Sequence, residues 1–95
     1  MKSIGLVEIS GVTAAITALD TMCKTANVSL VTWERKLGGR LVTLVVEGSV
    51  SDVTAAIESV KSAAFKPCAS AVIANPHEET VRIIGVSAAR LKKKQ

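Results

Sequence analysis

Strand-like and helix-like periods succeed one another in the order strand, helix, strand, strand, helix, strand, which predicts an α+β fold with one antiparallel sheet. Three stretches carry that reading. Residues 12–26 repeat their apolar side chains at three-and-four spacing, the mark of an amphipathic helix. Residues 28–34 and 41–47, rich in Val, Leu and Thr, flank Lys36-Leu37-Gly38-Gly39-Arg40, whose glycine pair closes a β-hairpin. Ser49, three residues before Asp52, then opens a second helical repeat in the manner of a capping box.

Taken in order, residues 2–10 hold Ile4, Leu6, Val7 and Ile9 with Gly5 among them and read as the first strand, ended by Ser10-Gly11. In the first helix Val12, Ala15, Ile16, Leu19, Met22, Cys23 and Ala26 form the apolar face. Thr13, Thr17, Asp20, Lys24 and Asn27 form the other side, and Asn27 suits a left-handed helix end. After the hairpin, Val50, Val53, Ile57, Val60 and Ala64 carry the second helix to about Ala64, and Pro67 lies beyond its end. Residues 69–74 are a fourth strand, stopped by Asn75-Pro76. Residues 81–86 are a brief apolar segment, and residues 87–94 form a short final helix bearing basic side chains.

This order is that of a ferredoxin-like βαββαβ fold with a C-terminal extension, both helices on one face of the sheet. The other face is then bare unless an extension, a ligand or a second subunit covers it. Composition points the same way: 48% of the 95 residues are hydrophobic and only 21% are charged. A single domain this small keeps much of its surface in water, so such a composition favours self-association.

The net charge of +4 is local. Arg90, Lys92, Lys93 and Lys94 supply it, and residues 1–89 balance to zero. The body is therefore not a nucleic-acid surface, and Trp33 and Phe65 are too few to stack bases. Cys23 and Cys68 lack metal-like spacing and read as buried or half-buried small groups. The absence of a leader or a membrane-length apolar run predicts a cytoplasmic, non-membrane protein. No phosphate loop or acid–base pair is present, His77 has no nucleophile near it in sequence, and Glu78-Glu79 read as a solvated helix start. These readings predict a non-enzyme without cofactor or metal. A ferredoxin-like regulatory module binding a small molecule is the alternative, and an RNA-binding domain with a basic tail a distant third.

Several separated segments carry a resemblance. Gly5-Leu6-Val7-Glu8 with Gly11, residues 20–28 (Asp-Thr-Met-Cys-Lys-Thr-Ala-Asn-Val), residues 36–43 (Lys-Leu-Gly-Gly-Arg-Leu-Val-Thr), Glu47-Gly48-Ser49-Val50 and Asn75-Pro76-His77 occur in order. In these segments the chain resembles the single-domain shell proteins of bacterial microcompartments. The resemblance implies a non-catalytic shell protein over residues 1–86, with residues 87–95 as a basic tail. It implies cyclic homohexamers that tile with neighbouring shell hexamers and other shell proteins around enclosed enzymes, with small metabolites crossing a central pore.

The same resemblance assigns residues. Leu37, Gly38, Gly39 and Arg40 would line the pore, where small side chains let six loops approach one axis. Six guanidiniums there repel one another unless they turn outward to Glu34 or Glu47, or unless anions lie between them, so the expected passengers are polar or anionic. Lys24, Asn27, Asn75, Pro76 and His77 would meet neighbouring hexamers at the edge, the lysine stem packing while its ammonium binds carbonyls. Two departures stand out. Residues 31–36 are one residue longer than the family pattern, and Asn75 replaces the basic residue usual before Pro-His.

Overall fold

The structure, a computed structural model, describes residues 2–36, 38–62 and 65–93. Seven elements follow in chain order: β1 (Ser3–Ser10), α1 (Val12–Thr25), β2 (Ser29–Glu34), β3 (Leu41–Gly48), α2 (Val50–Lys61), β4 (Ala69–Ile73) and α3 (Glu78–Lys93). The strands form one antiparallel sheet in the order β2-β3-β1-β4. This is the α+β arrangement expected from the sequence. The expected helix end at Ala64 and the last basic residue, Lys94, lie outside the described residues.

Alternation along β1 gives the sheet its two faces. Val7 and Ile9, with Val42, Leu44 and Val46 of β3, join Ala15, Ala18 and Met22 of α1 and Val53, Ala56, Ile57 and Val60 of α2 in the main core. Gly5 sits where α2 approaches closest: a Cβ there would lie 2.8 Å from Val53 Cγ1 and 3.0 Å from Ile57. Ser49 caps α2 as its spacing predicted, its Oγ accepting the Asp52 N–H at 3.1 Å. The Asp52 carboxylate accepts the Ser49 hydroxyl at 2.8 Å and the Asn27 N–H at 3.3 Å, tying the exit of α1 to the entry of α2.

On α1 the buried side differs from the expected one. Ala15, Ala18 and Met22 are fully buried, whereas Val12 and Ile16 are 43% and 52% exposed and Cys23 faces solvent. Alanines at 15 and 18 let α1 lie close upon α2 and the sheet, and that close contact turns the larger Val12 and Ile16 to the rim. Cys68 is also exposed, so neither thiol is the buried or half-buried group expected. Asn27 is not left-handed either. Ala26 caps α1 in an extended conformation, φ −146°, and Asn27 is absent from the residues with positive φ.

The second face of the sheet is covered by the chain itself. The two pieces expected over residues 81–86 and 87–94 are one continuous helix α3 as far as Lys93, the last described residue, and it packs along β2. It therefore runs unbroken across positions 86 and 87, where the sequence placed the boundary between domain and tail. Ile84 is buried with Ile4 and Val45 beside Leu6, Val31 and Ile73, a second and smaller core. Polar groups complete the contact: buried Thr32 bonds Ser87 hydroxyl to hydroxyl at 2.8 Å, and Glu34 accepts from Ser87 and from Arg90 at 3.2 Å. These bonds hold the helix in register past residue 86. Cover is partial, because Leu6, Glu8, Thr43, Ala69 and Ala71 line an open groove of about 190 Å³.

Gly85 lies within α3, and among the described residues nothing outside the helix's own nearby backbone stands within 4 Å of where a Cβ would be. A glycine inside a helix costs about 1 kcal/mol relative to alanine, and here no clash offsets the gain. Gly85→Ala is therefore expected to raise stability by about 0.5–1 kcal/mol in urea unfolding; a destabilised variant would show that α3 does not run through this point as a helix.

Candidate functional site

The connection from β2 to β3 is the segment the sequence placed at the centre of function, and its backbone is unusual. Gly38, Gly39 and Arg40 have φ of 76°, 60° and 62°, three left-handed residues in succession. The Leu41 N–H donates to the Gly38 carbonyl at 3.1 Å, so Gly39 and Arg40 are the central pair of a turn in which both take positive φ. Glycine does this freely. Arg40 does so at a cost of about 1–2 kcal/mol, which neighbouring contacts must offset.

Those contacts come from the start of α1. The Gly11 N–H donates to the Arg40 carbonyl at 2.7 Å, and Gly11 itself has φ 98°. The Arg40 guanidinium lies over Gly11, its Nη2 3.6 Å from where a Cβ would sit. Arg35 and Arg40 border one cleft of about 650 Å³ whose floor includes Val12, Ala14 and Val42. The Arg35 guanidinium stacks over Trp33, 4.7 Å from the ring centroid. Leu37, the other residue expected here, lies outside the described residues.

Two carboxylates were expected to compete for Arg40. Glu34 is engaged instead by Arg90 and Ser87, and among the described residues no carboxylate pairs with Arg35, Lys36 or Arg40. The sequence did not foresee Arg90 and Ser87 in this part of the molecule, because these contacts join residues 53 to 56 positions apart. The longer stretch of residues 31–36 includes part of a bulge, since the β2–β3 register shifts between Leu30 and Thr32.

The residues expected at the edge fall into two groups. Lys24, near the end of α1, is exposed and pairs with Asp20 one turn earlier at 2.8 Å. The hydrogen bond and the charge of Asp20 hold its ammonium above the ordinary lysine range. Asn27 follows on the same exit, also exposed. Asn75, Pro76 and His77 form the turn from β4 into α3. Asn75 is left-handed, φ 51°, a conformation that asparagine tolerates better than arginine, so the departure at this position has a local backbone reason. His77 Nδ1 accepts the Glu79 N–H at 3.0 Å and caps α3 from an exposed position. Among the described residues no hydrogen bond or ion pair joins the two groups within one chain.

Among the described residues there is no cluster of three or more metal-ligating side chains, and no helix is long and apolar enough to cross a membrane. The family model described as "BMC domain" matches residues 3–76, from β1 through β4 to the residue after Asn75. The chain belongs to the BMC domain family. It is 43% identical over 86 residues to the bacterial microcompartment shell protein PduA of Citrobacter freundii, covering 87% of this chain and 91% of that one. It is 34% identical to the carboxysome shell protein CcmK2 of Synechocystis, covering 88% and 85%. Among solved structures, a microcompartment protein from Desulfitobacterium hafniense superimposes with a TM-score of 0.76 at 27% identity, over 92% of this chain and 48% of that one.

Proposed function

We propose that this chain is a structural, non-enzymatic shell protein of a bacterial microcompartment in the cytoplasm, acting as a cyclic homohexamer. The observation that carries the reading is its identity to PduA over nearly the full length of both chains. The exposed apolar side chains support it: Val12, Ile16 and Val50 are each 43–52% exposed, and Leu30 and Val72 lie close behind. Such a surface on a single small domain fits one that neighbours bury.

In this reading Leu37, Gly38, Gly39 and Arg40 surround the hexamer axis, and small polar or anionic metabolites pass between them. The bare backbone of Gly38, with nothing among the described residues beyond its chain neighbours within 4 Å of where a Cβ would sit, suits close approach of six copies. Lys24, Asn27, Asn75, Pro76 and His77 meet the neighbouring hexamer and the other shell proteins of the layer around the enclosed enzymes. Residues 87–95 then add a basic C-terminal extension to the shell domain of residues 1–86.

Size distinguishes this from a small-molecule regulatory module. Six copies of a 9.9 kDa chain should sediment near ~59 kDa and appear as rings in electron micrographs. A monomer, or a dimer whose thermal stability rises with added ligand, would overturn the reading.

A further inference from the structure

The β2–β3 connection concentrates cations that the fold leaves uncompensated. Arg35, Lys36 and Arg40 lie within six residues that contain no acid. The carboxylate just before them, Glu34, is held by Ser87 and Arg90, and none of the three cations has an ion-pair partner among the described residues. All three are exposed. Arg35 and Arg40 share one cleft, and Arg35 and Lys36 share a second, of about 360 Å³, with Arg90 and the Glu34 carboxylate that Arg90 engages. The Arg40 carbonyl is tied to the Gly11 N–H, and its guanidinium lies over Gly11, where it has no carboxylate partner among the described residues.

We propose that a multivalent oxyanion of the phosphate or sulfate class binds these cations in the assembled ring, and that its charge sets how tightly six chains hold together. The proposal rests on the hexamer reading, in which this connection faces the axis. Six copies of three side chains place about eighteen positive charges around one opening. Monovalent salt screens over about 10 Å at 0.1 M, so charges facing one another across a narrow opening still repel. An anion of charge two or more between the guanidiniums removes that repulsion and accepts bidentate hydrogen bonds from them. A lone chain offers such an anion only one set of cations, so binding favours the ring.

Mass action fixes the size of the effect. For six monomers in equilibrium with one hexamer, the midpoint concentration follows the fifth root of the assembly constant. One anion per ring at a hundred times its Kd lowers that midpoint about 2.5-fold, and six lower it about 250-fold. The test is sedimentation velocity across a concentration series, at one pH and one ionic strength, in sodium chloride, sodium sulfate or sodium tripolyphosphate. The wild-type midpoint is expected to fall from chloride to sulfate to tripolyphosphate, whereas Arg40→Gln and Arg35→Gln assemble more tightly in chloride and respond less to the anion. Equal wild-type midpoints in the three salts would overturn the proposal and leave the ring intact. So would an undiminished anion response in both variants, which would mark a general salting-out effect. A monomer under every condition would overturn the hexamer reading itself.

Discussion

Gly48→Ala is expected to lower stability by about 2–3 kcal/mol, although it adds a single methyl group. Gly48 ends β3, is buried, and opposes Ser3 of β1. A Cβ there would stand 2.9 Å from the Asn27 carbonyl oxygen and 3.2 Å from Val28 Cγ1. The first of these is backbone and has no rotamer to change, so the link from α1 to β2 must move. That link is also held through the Asn27 N–H to Asp52, which in turn caps α2 with Ser49, so displacement disturbs the cap as well. The thermal midpoint should fall by about 10–20 °C for a domain of this length, measured at matched protein concentration. Gly85→Ala provides the contrast, the same substitution with the opposite expected sign because open space surrounds the site. A Gly48→Ala variant as stable as the parent would mean that the two links do not pack as described.

The larger functional effect is expected at Lys24. Within one chain this lysine does little for stability: it is exposed, and among the described residues its only ion-pair partner is Asp20 at 2.8 Å, a pair of a kind that contributes little in water. Removing it should therefore leave the fold and the thermal midpoint nearly unchanged. If the edge assignment holds, Lys24→Ala retains rings of hexamer mass but loses extended sheets in electron micrographs. The stem packs against a neighbour and the ammonium satisfies carbonyls there, and alanine supplies neither. Lys24→Arg, which keeps a long stem and a charge, should recover sheets in part. Sheets as extensive in Lys24→Ala as in the parent would remove Lys24 from the edge. Loss of rings as well would place it at the interface within the hexamer.

Much of the fold was legible because it is written in short-range chemistry. The capping pair Ser49 and Asp52 stands where its spacing predicted, and Gly38-Gly39 takes the positive φ that only glycine adopts without strain. The candidate loop was legible as a turn, while the left-handed Arg40 was not, since nothing local demands it. Its conformation depends on the Gly11 N–H, supplied by a residue 29 positions earlier. Nor did the spacing on α1 distinguish the buried Ala18 from the exposed Ile16. An apolar stripe says that a face is buried but not where the partner's surface stops.

The amino-acid order by itself determined the kinds of element, their succession, and the turn and cap residues between them. Each of these is settled by steric limits and hydrogen bonds that reach only a few residues. The tertiary structure alone decided that α3 is one helix laid on β2, that Thr32 meets Ser87 across 55 positions, and that Glu34 is thereby withdrawn from Arg40. Which groups remain free at the surface depends on partners brought from far along the chain, and a local period carries no record of them.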